Sequence, residues 1–214
     1  ALNDIEDDPT VRAAVIAGGR QVFCAGTDIA DGSGDPTARG GEYGIIRRRS
    51  PKPIIAAVEG SAFGGGFEIA LACHMIVAST AATFGLPEVR RGLVATSAGL
   101  FRVPRALPLN VAREMLLTGE PVPAERLERL GVVNQTVAPG QTVEAAVALA
   151  ERTALNAPTS IRATLTALDM IAADDDEAGW TATDVAKDTV LASDDRREGL
   201  TAFFERRPPA WPGG

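Results

Sequence analysis

The sequence predicts a mainly parallel α/β fold with a helical C-terminal region, on three observations. Short apolar runs stopped by glycine read as strands buried on both faces, since they lack polar alternation. Helical patterns separate those runs, and strands that alternate with helices pair in parallel. From about Gln141 the strand signals vanish and only helical patterns continue. With 214 residues, 45% of them hydrophobic and 23% charged, the chain can bury one sizeable core.

The elements follow in order. "ALNDIEDDPT" reads as the last turn or two of a helix already under way, so upstream sequence is expected. "VRAAVIAGG" (Val11 to Gly19) is a strand, and Val22 to Ala25 is a second apolar run that ends at Gly26-Thr27. Residues Ile29 to Gly44, rich in Gly, Asp, Ser and Pro, form a long flexible loop, and loops of that length are functional or disordered. "KPIIAAVEG" (Lys52 to Gly60) repeats the strand design, while "CHMIVAST" and "VVNQTVAP" supply two more. Helices are predicted over Gly66 to Cys73, about Ser97 to Arg105, "PLNVAREMLLTGE", "PAERLERLG" and "VEAAVALAERTALNAP". Residues 1–140 are therefore the α/β core and 141–214 the helical region, broken by a solvated acidic loop at Asp174 to Glu177. The tail carries Phe203, Phe204 and Trp211, which must dock on the body or on a neighbouring subunit.

A formal charge of −7 opposes broad binding to nucleic acid or to an anionic membrane. Nothing in the sequence has the pattern of a leader or of a membrane span, so the cytoplasm is the expected setting. Cys24 and Cys73 each sit in an apolar run without a CxxC partner and read as reduced core residues. His74 is the only histidine, which excludes His clusters for a metal and leaves any serine or cysteine triad dependent on one ring. It reads as a helix residue hydrogen-bonded locally.

The chemistry concentrates in "VEGSAFGGGFEIALAC" (Val58 to Cys73), where three glycines precede a helix that carries Glu68 among apolar residues. Two glycine motifs fail here. A dinucleotide fingerprint requires a small residue at Ile69, and a P-loop requires Lys-Ser or Lys-Thr where Gly66-Phe67 stands. What remains is a strand, a tight turn and a helix start near Gly65 or Gly66, whose leading N–H groups can bind a developing negative oxygen. One N–H is a poor oxyanion hole, and the turn at Gly26-Thr27 offers a second if both strands end at one sheet edge. Glu68 and Glu88 both occupy first-turn positions where a carboxylate also serves as a helix cap, Glu88 directly after Pro87.

The pieces "FCAGTDI", "AAVEGSAFGGGFEIALAC" and "FGLPEVRRGLV" agree in type, order and spacing with the crotonase superfamily, and the chain most resembles enoyl-CoA hydratases. The resemblance runs from Ala1 to the Trp211 tail. It implies a crotonase-like ββα spiral core, with 141–214 as a trimerisation region of a homotrimer or homohexamer. It implies that the first strands and most of a first helix of the family precede Ala1, with part of the coenzyme A pocket. It further implies that the N–H groups of Thr27 and Gly65 form the oxyanion hole and that Glu68 and Glu88 are the catalytic carboxylates. Ala25, Thr27, Asp28, Ile29, Ala30 and Gly65 would border coenzyme A, which is part of the substrate, so no separate cofactor and no metal are expected. Thr27 stands where the family commonly has alanine or methionine, and His74 where "ACD" usually ends the helix; the first spares a backbone donor and the second lies away from the carboxylates.

The implied reaction is addition of water to a 2-enoyl-CoA thioester, the type found in fatty-acid β-oxidation. Glu68 would orient and activate water and Glu88 would supply the proton, although the two carboxylates can share these duties. An isomerase needs only one base on the same hole, and the segment after the "PE" motif, "GLVATSAG", offers Thr96 and Ser97 but no further carboxylate. A non-catalytic acyl-CoA-binding homologue would be marked by loss of a carboxylate, and both are present. Arg47, Arg48, Arg49 and Lys52 are open to two readings, as contacts to the coenzyme's phosphates or as a solvated face.

Overall fold

The computed structural model describes residues 1–28, 32 and 34–212. After helix α1 (Leu2–Asp7) the chain alternates between two sheets. β1 (Ala14–Ala17), β3 (Ile54–Val58), β5 (Met75–Ser79) and β8 (Gln135–Val137) form one sheet, in the order β1-β3-β5-β8 and parallel throughout. β2 (Val22–Cys24), β4 (Ser61–Phe63), β6 (Thr83–Gly85) and β7 (Val122–Pro123) form the second, in the order β2-β4-β6-β7. In that sheet only the β6–β7 pairing is antiparallel.

β3 shows why the sequence pattern reads as continuous apolar rather than alternating. All five of its residues are buried, because the strand lies between β1 and β5 with both faces covered. Ile55 and Ala57 pack with Val77 and Ala146, whereas Ala56 and Val58 point the other way into the main cluster with Phe67, Phe84, Leu86 and Met115. Ala146 comes from α6 (Thr142–Ala154), whose Ala145, Ala146, Leu149 and Ala150 make one apolar stripe against the first sheet. Between these elements lie α2 (Gly65–Ala72), α3 (Gly99–Ala106), α4 (Leu109–Thr118) and α5 (Ala124–Arg129). Two long helices, α7 (Pro158–Leu191) and α8 (Asp194–Glu205), close the chain.

The expected strands and helices are present, with boundaries shifted by a few residues. Apart from β2, the second sheet is what the patterns missed. β4 and β6 have three residues each and β7 two, too short to show a period. The acidic stretch predicted as a loop is instead helical, since α7 runs unbroken through 174–177. Asp176 is held by Arg105 and lies 3.7 Å from Arg49, so cations on the body neutralise a charge that composition alone assigns to solvent. His74 sits between α2 and β5 rather than within a helix, and its Nδ1 accepts the Ile54 N–H at 2.9 Å. Cys24 and Cys73 are free thiols, half-buried, with burial pushing Cys73 up to about 12.

Candidate active site

β2, β4 and β6 are parallel neighbours, so their C-terminal ends emerge side by side at one edge of the second sheet. The residues that follow them are Ala25-Gly26-Thr27, Gly64-Gly65 and Leu86-Pro87-Glu88. These three turns form one side of a cleft of about 510 Å³, and Ala25, Thr27, Asp28, Gly65, Glu68 and Glu88 all line it. The structure thus brings together every predicted site residue except Ile29 and Ala30, which lie outside the described residues.

Each glycine of the triplet answers to a different neighbour. Gly64 caps α2 at φ 55°, a left-handed conformation that a side chain resists, and a Cβ there would stand 3.1 Å from Glu88 Oε1. A Cβ on Gly65 would run into the Tyr43 ring, and one on Gly66 into the Cys24 carbonyl. The first helix donors, Phe67 and Glu68, both bond to Gly64 O, so the N–H groups of Gly65 and Gly66 lie ahead of the ladder at the positive end of α2. The other turn abuts this one. Gly26 has φ 88°, and a Cβ on it would come within 2.8 Å of Gly65 N.

Glu68 does not cap its own helix. Its Oε1 accepts the Ser97 and Gly99 N–H groups, each at 2.8 Å, and so caps the start of α3 across the cleft. That acceptance fixes one of its two oxygens. Glu68 is 3% exposed, and burial pushes it up to about 7 against the pull of those two N–H groups, with the nearby Glu88 charge adding to the rise. Glu88 sits in a 3₁₀ turn over Pro87–Arg91 that Pro87 opens, as its sequence position implies. Burial pushes it up to about 7 as well, and its Oε2 is enclosed with no hydrogen-bond partner among the described residues. Two buried carboxyls with raised pKa, beside the leading N–H groups of α2, are groups of the kind that acid–base chemistry next to a negative oxygen requires.

The family profile described as Enoyl-CoA hydratase/isomerase matches residues 1–214. The chain belongs to the enoyl-CoA hydratase/isomerase family. Its sequence is 39% identical to the mevalonyl-coenzyme A hydratase of Aspergillus fumigatus, over 96% of this chain and 80% of that protein. It is 41% identical to the (E)-benzylidenesuccinyl-CoA hydratase of Thauera aromatica, over 98% of this chain and 84% of that one. A carnitinyl-CoA dehydratase structure from Mycobacterium avium 104 superposes with a TM-score of 0.93 at 41% identity, covering 100% of this chain and 86% of the other. The fold is that of the crotonase superfamily.

Within this family member, the groups that line the cleft and that sequence reasoning missed include Tyr43, Arg91, Arg196 and Leu200. Arg196 and Leu200 arrive on α8, together with Phe203, which the sequence flagged only as an aromatic needing a surface. Phe203 lies beside its own chain, with the Arg91 guanidinium 5.2 Å from its ring centre, while Phe204 and Trp211 stay exposed. Tyr43 is the chain's single tyrosine, set among the glycines of the long loop, and that isolation was the one signal available. Arg47, Arg48, Arg49 and Lys52 do not line the cleft. Arg47 pairs with Glu42 and stacks on Trp180, Arg48 pairs with Glu6, Arg49 lies near Asp169 and Asp176, and Lys52 donates to the Ile5 and Asp8 carbonyls.

Proposed function

We propose that this enoyl-CoA hydratase works through the N–H groups of Thr27 and Gly65, which bind the thioester oxygen, and through Glu68 and Glu88, which manage water and protons. The observation that carries the reading is a pair of buried carboxyls facing one cleft beside two abutting glycine turns. Glu68, anchored through Oε1, holds a water with its other oxygen and takes a proton from it as the water oxygen bonds to the β-carbon. The π electrons move to the thioester, whose oxygen carries the charge against the two N–H donors. Glu88 then gives a proton to the α-carbon, and transfer of the proton from Glu68 back to Glu88, directly or through water, restores both groups, so that the sum is one water added across the double bond. Ala25 and Asp28 border the coenzyme A moiety; coenzyme A arrives as part of the substrate and no other cofactor enters the scheme. Two carboxyls favour hydration over double-bond migration, and the loop residues Thr96 and Ser97 add no further carboxylate, Ser97 serving instead through its N–H to Glu68.

The test is loss of the conjugated enoyl absorbance on mixing with crotonyl-CoA, followed across pH. Below about pH 7 Glu68 gains the proton it must lack as a base, and above about pH 7 Glu88 loses the one it must donate. A bell-shaped kcat/KM is expected, with two apparent values belonging to the pair and split around neutrality by their repulsion. A rate that stays level well above neutrality removes the acid from the scheme.

We also place the protein in the cytoplasm as a homotrimer or homohexamer joined through residues 141–214. Among the described residues no helix is long and apolar enough to cross a membrane, and a water-borne thioester substrate fits an aqueous setting. On α7, Leu168, Met170 and Ile171 are 58%, 72% and 78% exposed, an apolar stretch that a second copy can cover. Light scattering at micromolar concentration is expected to give three or six chain masses, and one chain mass overturns the assignment.

A further inference from the structure

The Tyr43 side chain sits where the proposed reaction would take place, yet the mechanism above makes no use of it. Its hydroxyl is hydrogen-bonded to Thr27 Oγ1, on the residue whose N–H faces the thioester in the proposed scheme. Its ring lies over Gly65, close enough that a Cβ on that glycine would fall 2.8 Å from Cε2. Tyr43 lines the same cleft as both glutamates. Its backbone holds φ 52° and ψ 11°, a left-handed conformation that a bulky residue adopts only when its surroundings impose it, and such residues gather at functional sites.

We propose that the Tyr43 hydroxyl is a third donor to the thioester oxygen as it becomes enolate-like, beside the N–H groups of Thr27 and Gly65. The inference rests on the hydratase reading of this site. In the structure the Tyr43 and Thr27 hydroxyls satisfy each other. When a substrate oxygen arrives, the Thr27 hydroxyl donates to the tyrosine oxygen, which frees the tyrosine proton for the substrate; no proton is transferred and no bond is broken. Burial and the Glu68 charge raise the Tyr43 pKa above its ordinary value, so the phenol keeps its proton through the working range. The Thr27 hydroxyl and Ser97 pull the other way, and Cys24 adds to the rise. Threonine at position 27 is therefore more than a carrier of its N–H, since its hydroxyl holds the phenol in place.

The test is Tyr43→Phe, which keeps the ring and removes only the hydroxyl. Removal of one oxyanion donor costs about a hundredfold or more, and with two backbone donors left the expected fall in kcat is about tenfold to a hundredfold, with KM little changed. Thr27→Val combined with Tyr43→Phe should be no slower than Tyr43→Phe alone, because the threonine hydroxyl acts through the phenol. The second readout is binding of acetoacetyl-CoA, whose enolate absorbs in the near ultraviolet, against saturated butyryl-CoA. Tyr43→Phe should weaken enolate binding by about the same factor as kcat and leave butyryl-CoA binding unchanged. Parent-like kcat, or equal weakening of both ligands as a packing defect would give, overturns the proposal. Glu88→Gln run in parallel separates the two levels: lost turnover there with parent-like Tyr43→Phe refutes the third donor alone, whereas retained turnover in both refutes the mechanism beneath it.

Discussion

Glu88→Gln leaves a folded protein that hydrates crotonyl-CoA at least about a hundredfold more slowly, the scale of one positioned acid or base. The substitution is nearly isosteric, so the 3₁₀ turn that Pro87 opens and the approach of Gly64 are retained. What disappears is the exchangeable proton, and acyl-CoA binding should persist. Stability supplies an internal control with a definite sign. A carboxyl raised from 4.5 to about 7 favours its neutral form in the folded chain, so its ionisation costs stability. That cost is absent below about pH 4.5, builds as pH rises, and is complete above about 7, where it reaches about 3 kcal/mol. Glutamine removes it. The variant should therefore match the parent in Tm at about pH 4 and exceed it at about pH 8. Near-parental turnover in a variant with that Tm pattern would take Glu88 out of the chemistry while confirming its burial.

Gly65→Pro abolishes turnover, because proline removes the N–H outright. The helix itself can accept the change, since position 65 opens α2 and proline is tolerated at a first helical position. Two local features complicate it: Gly64 is left-handed just before, and any Cβ at 65 displaces the Tyr43 ring. Gly65→Ala separates these effects, for it keeps the N–H and still moves Tyr43. Alanine is expected to lose about as much rate as Tyr43→Phe, roughly tenfold to a hundredfold, and proline far more. Circular dichroism and an unshifted Tm must accompany the measurement. A folded proline variant that turns over at the parent rate contradicts the oxyanion-hole assignment, and equal losses in the alanine and proline variants would show that steric displacement, not the missing donor, carries the effect.

Legibility in the sequence tracked the range of the interaction concerned. The strand at Ile54–Val58 is visible because five consecutive apolar residues have no other soluble use at that length, and burial on both faces asks for nothing more specific. Turns at Gly64-Gly65 and Gly26-Thr27 are visible because left-handed backbone calls for glycine locally. Glu68 stood out as a charge after such a turn and Glu88 as a carboxylate directly after Pro87, although each also had an innocent reading as a helix cap. Of the second sheet only β2 was visible, since the strands of two or three residues at β4, β6 and β7 are held by their ladder neighbours rather than by their own pattern. The 174–177 stretch misled for a related reason: its helix is held in part by Arg49 and Arg105, more than sixty residues away in the chain.

The sequence by itself determined the α/β class, the glycine turns, the two glutamates and, through its three motifs, the family. Tertiary structure alone decided which of these meet. The order β2-β4-β6 sets three strand ends side by side and makes one cleft of turns separated by dozens of residues. It decided that Glu68 caps α3 rather than its own helix, and that the basic run at 47–52 is spent on partners within the chain. It also brought Tyr43, Arg196 and Phe203 to the site. The physical reason is that backbone conformation and burial are set by neighbours along the chain, whereas a protonation state, an aimed donor or a matched charge depends on groups within a few ångströms in space, and sequence separation does not encode that distance.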